Sequence, residues 1–486
     1  MRKTFSTQTR LDCGSVENVP LNFECRDEII PILAALQYIY SQPQLRDDIL
    51  DLIAQDVNQD SRDDRGREGL DYWQILVLAA VRLGCGLDYD KLQDLAEQHR
   101  ALRHIMGLGD WDEQTNFSWR RIRDNVCLLA PGTIEKISHL IVAEGHRLAP
   151  DAAKKVRADS FVVETNIHYP TESSLIFDGV RIILELCVAL SEAAGLDGWR
   201  QHEHLLKRIK RIVRNIACIS SRKGPKYQKR LQSEYRKLLK RTGRILRRAR
   251  EMKEQLAAQG CQDLVKLARL EEFLQRTEQV CSTARRRVLL GETVSHEEKL
   301  FSMFEPHTQL YKRGKAGQPV QFGRLVLVYE DEAGFLVHHY ILPRDAQDRD
   351  IVVEQTKTVQ ERMNGRIEQA SFDRGFHSPE NQEQLAQVIA QPCLPKPGVK
   401  QAAAQQASAT VQFHEARQRH PGIESAIGAL QSGNDLDRCR DHTELGFERY
   451  VALGILGRNL HTLGKLVIAR EDAACEAAHS RRKTAA

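Results

Sequence analysis

No stretch of this sequence is both long and apolar. The longest purely apolar runs, such as Ile75–Val81, fall far short of the ~20 residues a bilayer-spanning helix needs. A membrane partner is therefore not expected. The segment Met1–Gly14 carries charge but no apolar centre, which argues against a secretory signal. The 11 cysteines form no CxxC pair and follow no regular spacing. An odd, scattered set of this kind points to reduced thiols in a cytoplasm, and excludes a disulfide framework or a cysteine zinc site. Net charge is also small, +5 over 486 residues. By itself it names no partner.

What is present is charge gathered in one place. Positions 201–250 hold 18 lysines and arginines against two acids, Glu203 and Glu234, so the rest of the chain is net acidic. A basic block on an otherwise acidic protein is the electrostatic footprint of a polyanion-binding surface. With 41% hydrophobic and 28% charged residues, the chain is globular in composition and long enough for two or three domains.

Hydrophobic periodicity divides the chain. Residues 1–150 read as all-helical: Ile29, Ile30, Ile32, Leu33, Leu36 and Ile39 recur at helical spacing, followed by segments at Tyr72–Leu83, Tyr89–Gln98, Ala101–Met106 and Thr115–Leu129. Short helices joined by tight turns suit a DNA-binding helix-turn-helix and an ordinary helical bundle equally. After Pro150 the period changes. Val156–Val163 and Thr165–Tyr169 read as strands, bulged near Glu164. A long helical insert covers 180–300, with apolar stripes at Leu205, Ile209, Ile212 and Ile216 and at Leu231, Tyr235, Leu238, Thr242 and Ile245. Strand signals return at Gly323–Tyr329 and Phe335–Leu342, joined as a hairpin, then at Ile367–Phe372 and Cys393–Leu394. Residues 401–410 are an Ala/Gln-rich linker or helix start. Helices are expected from Pro421 and over Phe447–Leu466, with a disordered tail at 471–486. The fold class is mixed α/β.

Three carboxylates stand at comparable places. Asp159 lies inside a strand, Asp373 ends one, and Glu424 opens a helix. Hard divalent cations take oxygen ligands and keep several waters, so two or three carboxylates suffice to hold them. Two such ions can drive phosphodiester displacement without a protein nucleophile. Taken singly, each Asp is equally a turn former or helix cap, and Glu424 a first-turn partner of the helix dipole.

The surrounding motifs go further. RADSFVVETNIHYPTESSLIFDGVR around Asp159, SFDRGFHSPEN around Asp373, and ESAIGALQSGNDLDRCRDHTELGFERYVALGILGRNLHTLG from Glu424 resemble the DDE transposases of bacterial insertion sequences, in particular the ISNCY group. The resemblance implies a ribonuclease H-like catalytic domain, a mixed sheet flanked by helices, over 151–179 and 301–470. The basic helical insertion of 180–300 interrupts it, and the N-terminal domain, 1–150, serves DNA binding or dimerisation. It implies that Asp159, Asp373 and Glu424 are catalytic and bind two Mg²⁺ or Mn²⁺ ions. The partners would be double-stranded DNA, as terminal inverted repeats and as target, bound by a homodimer or higher assembly. The protein would be cytoplasmic and nucleoid-associated. Candidate DNA contacts are Arg374, Arg222, Lys223, Lys226, Lys229 and Arg230.

Related families carry an Arg four residues before the Glu and a Lys seven after it; here His420 and Gln431 stand there. Phosphate-clamping roles do not transfer to those positions, and Arg417 or Arg419 are the nearest substitutes. Asn166 and His168 face the metals or are plain turn residues. Arg374 binds phosphate or pairs with an acid. His377 caps or packs. Arg438, Arg440, Arg449 and Arg458 contact DNA or do not. Trp111, Trp119 and Trp199 read as packing residues. Two other functions fit the same residues: a transposase-derived DNA-binding protein without catalysis, and a metal-dependent DNA nuclease that cuts without joining.

Overall fold

A computed structural model describes residues 11–58, 69–260, 262–312, 319–398, 405 and 410–484. Most of the Ala/Gln-rich stretch of 401–410 lies outside the described residues. The chain is mixed α/β and mostly helical, with one mixed seven-stranded sheet. Before the first strand come only helices: α1 (Ile29–Tyr40), α2 (Pro43–Val57), α3 (Tyr72–Gly84), α4 (Tyr89–Gln98), α5 (Arg100–Ile105), α6 (Trp119–Val126) and α7 (Pro131–Leu148). Their starts are chemically marked. The side chains of Asp71, Asp88 and Ser118 accept the third backbone N–H of α3, α4 and α6, and α2 and α7 open on proline.

Strand β1 (Lys155–Thr165) follows, then α8 (Glu172–Ala194), α9 (His202–Ser220), α10 (Pro225–Ala258) and α11 (Leu264–Ala284). The second strand expected at Thr165–Tyr169 is absent: β1 ends at Thr165. The chain instead turns into α8, which begins under a capping box between Thr171 and Ser174. The remaining elements are β2 (Gln309–Tyr311), β3 (Gln321–Asp331), β4 (Leu336–Ile341), α12 (Asp348–Arg362), β5 (Gln369–Phe372), α13 (Pro379–Val388) and β6 (Gln391–Cys393). After these come α14 (Val411–Arg419), α15 (Gly422–Ser432), β7 (Arg438–Cys439) and α16 (Glu444–Thr484). Strands β2 and β7 have no sequence signal, being too short to show a period.

The strand order is β2-β3-β1-β5-β6, with β4 also on β3 and β7 also on β1. β3 and β4 form the expected antiparallel hairpin, with a bulge at Tyr329/Glu330. β1, β5 and β6 run parallel. β3 is buried almost throughout, as a strand covered on both faces should be.

The chain forms two compact units, 1–164 with 324–486, and 165–323. This departs from the expected boundaries in both directions. The N-terminal helices are not a separate body, because α16 lies against α1, α3 and α7. Glycines allow the approach: a Cβ on Gly464 would stand 1.7 Å from the Pro31 carbonyl oxygen, and one on Gly457 would stand 2.6 Å from Gly84 Cα. The inserted unit is larger than 180–300, because α8 buries Leu175, Ile176, Val180, Ile183 and Cys187 in one core with Ile209, Leu238, Leu270 and Met303. A methyl on Gly179 would meet Thr277 and Met303. Where a disordered tail is expected from 471, α16 continues to Thr484, its residues exposed from Ala469 through Ala477. Helix propensity alone carries a segment that has no apolar period to announce it.

Among the described residues no single helix is long and apolar enough to cross a membrane. Only α6 and α7 pass that test together, bent by 82°, and their apolar residues Ile122, Val126, Ile134, Ile137 and Ile141 are buried in the protein.

Candidate functional site

The parallel register of β1 and β5 decides where the two aspartates fall. Lys155 faces Gln369, Val156 faces Ala370, Arg157 faces Ser371 and Ala158 faces Phe372. Asp159 and Asp373 are the next residues on each chain, so they emerge side by side, about one strand spacing, ~4.8 Å, apart. Asp373 keeps extended backbone, φ −80° and ψ 168°, so its side chain continues the strand's alternation. By that alternation Arg157 and Asp159 share a face of the sheet with Ser371 and Asp373.

The same face receives the helix that carries Glu424. Ser371 Oγ lies 3.1 Å from His420 Nδ1, and Arg157 Nη1 donates to the Arg419 carbonyl at 3.1 Å. Gly422, the first residue of α15, sits so near Arg157 that a Cβ there would be 2.0 Å from Nη1. Arg157 is held in place from below, its Nε donating to Glu330 Oε2 on β3 at 2.5 Å. Glu424 follows Gly422 in the first turn of α15 and is exposed, as is Asp373; Asp159 is half-buried. The dipole of α15 favours the carboxylate there. Backbone register thus sets Asp159 and Asp373 on one face, against which the start of α15, two residues before Glu424, is packed. Among the described residues, no group of three or more His, Cys, Asp or Glu side chains stands at metal-ligand spacing, so the gathering is of backbones and faces.

The electrostatics near this face are mostly paired. Arg419 Nη1 binds Glu332 Oε1 at 2.6 Å, and Lys155 Nζ is 3.6 Å from the same oxygen. Burial, with Arg417 next in importance, pushes the His420 imidazole down to about 4, against a smaller upward pull from Asp373. His420 is therefore neutral near pH 7, a joint between α14, α15 and β5 and no phosphate-binding cation. Arg417 is different: its Nη1 is buried without a hydrogen-bond partner. With the exposed Arg374 it lines a cavity of about 260 Å³ whose other walls include Phe413, His414 and Gln418. Of the two substitutes considered for the missing clamp, Arg417 has an unengaged donor and Arg419 an acid partner.

The other candidates sort by their partners. Asn166 and His168 belong to the inserted unit, where both are exposed and His168 stands 3.5 Å from Asp178. His377 does not cap α13; Ser378 does, accepting from Asn381 N–H. Arg438 pairs with Glu164 at 3.1 Å and Arg440 with Asp435 at 3.0 Å. Arg449 is buried and donates to the Leu129 carbonyl. These three are thus explained by the fold, whereas Arg458 Nε is buried without a hydrogen-bond partner. Trp199 is buried as expected, Trp119 is half-buried between Arg120 and Arg123, and Trp111 is 71% exposed, contrary to its reading as a packing residue.

In the inserted unit Arg222, Lys223, Lys226, Lys229 and Arg230 surround the turn from α9 to α10. All are exposed, and among the described residues none forms an ion pair. Comparisons with known protein families, with curated proteins and with solved structures find no match to this chain.

Proposed function

We propose that this protein is a DDE-type DNA transposase of the ISNCY kind, with a ribonuclease H-like catalytic fold, and that Asp159, Asp373 and Glu424 are its catalytic carboxylates. The observation that carries the reading is the β1–β5 register, which sets the two aspartates of separate motifs side by side. The glutamate of the third motif opens the helix packed on the same face. The mixed sheet interrupted after its first strand by a helical unit agrees with the insertion the family resemblance implies.

An all-oxygen, solvent-reached donor set of this kind suits Mg²⁺ or Mn²⁺. When bound, two such ions would supply activation of the attacking oxygen and stabilisation of the leaving one. Asp159 and Asp373 would hold them from the sheet and Glu424 from the helix. Arg157 positions that helix through Glu330 and the Arg419 carbonyl. Water is the first nucleophile, freeing a 3′-hydroxyl at each element end; that hydroxyl then attacks target DNA at the same carboxylates. Two ends must be joined, so a homodimer or higher assembly on DNA is proposed, working in the cytoplasm at the nucleoid.

The test is cleavage and strand transfer on DNA carrying the inverted repeats that flank the gene, with Asp159→Ala, Asp373→Ala and Glu424→Ala. Each variant is expected to abolish both steps while leaving DNA binding intact. Activity retained by any one of them removes that residue from the site. Cutting without joining by the unaltered protein would make it a nuclease, and binding without either step a DNA-binding protein.

A further inference from the structure

Helices α9 and α10 of the inserted unit enclose a hollow walled by arginines. On α9, Arg208 and Arg211 are one turn apart; on α10, Arg241, Arg244 and Arg248 recur at three and four residues and so share a face. Between the helices lies a cavity of about 340 Å³, floored by Trp199, Leu205, Ile209 and Ile245 and walled by Arg208, Arg241, Arg244 and Arg248. The wall is anchored at one point. Arg248 stacks 4.6 Å over the buried Trp199 ring and donates to the Gly198 carbonyl.

Elsewhere in this unit arginines meet acids: Arg250 with Glu278, Arg276 with Glu272, Arg287 with Glu172, and Arg286 with Glu292 and Glu298. Arg208, Arg211, Arg241 and Arg244 form no ion pair with any described acid. Burial, then Arg208, Arg244 and Arg211, hold the Arg241 guanidinium below its usual range, which records like charges within reach of one another. Such a cluster repels itself in the free protein and is relieved by a bound anion. Guanidinium forks are matched in shape to phosphate oxygens.

We infer that this hollow grips the phosphodiester backbone of duplex DNA. A polymer is favoured over a lone anion by a second group of unpaired cations on the same hairpin, Arg222 to Arg230 at its turn. From Arg211 to Ser220, where α9 ends just before Arg222, the helix rises roughly 14 Å at about 1.5 Å per residue. That distance covers several phosphates of one strand. The inference rests on the proposed DNA partner and is independent of the carboxylates.

The experiment is anisotropy titration of the full-length protein on a short fluorescent duplex of arbitrary sequence, repeated across salt concentrations. Each phosphate contact contributes about 0.9 to the slope of log affinity against log salt. The neutral variant Arg208→Gln/Arg241→Gln/Arg244→Gln should weaken low-salt binding by about tenfold or more and lower that slope by roughly 2–3. Arg241→Lys/Arg244→Lys, which keeps the charge, should keep the slope. Circular dichroism should show both variants folded. A slope unchanged in the neutral variant overturns the inference, as does tighter, arginine-dependent binding to double-stranded RNA. So does calorimetric binding of inorganic pyrophosphate that needs these arginines when duplex binding does not. If arginine-dependent binding holds while the unaltered protein neither cuts nor joins DNA, the proposed catalysis fails and this site stands.

Discussion

Two groups of arginines, one in each unit, live in opposite circumstances. In the unit that carries the carboxylates, four are tied down: Arg82 to Asp441, Arg157 to Glu330, Arg324 to Glu444, Arg419 to Glu332. On the α9–α10 hairpin of the other unit Arg208, Arg241 and Arg244 line one hollow with no acid partner among the described residues. The first set holds elements in register and would be costly to remove. The second has no acid partner among the described residues and is the one proposed to meet a ligand. The contrast separates structural from ligand-facing charge within one residue type, which composition cannot do.

The largest effect should come from breaking a buried pair in the first unit. Asp441 accepts two hydrogen bonds from Arg82, at 3.1 and 2.5 Å, and the side chains are 12% and 3% exposed. Asp441→Ala strands a buried guanidinium whose Nε already lacks a partner, and should cost about 3–5 kcal/mol in chemical denaturation. A loss under 1 kcal/mol, the range of an exposed pair, would place this arginine with those of the hairpin.

Arg157→Met should come next, at about 3 kcal/mol near neutral pH, with a pH signature. Burial raises the Glu330 carboxyl above its usual range, against the lowering by Arg157. A carboxyl raised in the folded state lends stability below the unfolded carboxylate pKa and loses it as pH rises through the folded value. Removing Arg157 enlarges that shift. The gap between variant and parent should therefore narrow as pH falls into the carboxylate range. A gap independent of pH would show that Arg157 acts on Glu330 by packing alone. Because Arg157 also carries the start of α15, strand transfer should fall with it even at pH values where the fold is intact.

The smallest effect belongs to the hairpin. Arg241→Gln and Arg244→Gln should leave stability within about 0.5 kcal/mol of the parent, and any change should be a gain, since a like charge is removed. Thermal melting checks this. A clear loss would mean that these arginines too are structural, and would erase the difference between the units.

Much of the site was legible in the chain, for reasons that can be named. Alternation located the strands that carry Asp159 and Asp373, and Pro421–Gly422 marked the helix start ahead of Glu424. The charge count found the basic hairpin, since charge is additive and needs no fold to be seen. The count did not distinguish Arg241, facing Arg208 across a hollow, from Arg250, facing Glu278, because each partner comes from another helix. His420 and Arg417 were equally opaque. Whether a side chain beside the site is neutral or has an unengaged donor depends on burial, and burial depends on what packs there.

By itself, then, the sequence determined most of the longer elements, which carboxylates sit at their ends and where positive charge collects, all of them local or additive properties. Tertiary structure alone decided that Ala158 pairs with Phe372, which sets two aspartates from distant segments side by side. It also decided that α16 returns to the N-terminal helices through close glycine contacts, merging what reads as two domains into one unit. Strand register and close helix approach are relations between residues far apart in the chain, and their energies exist only once both partners are in place.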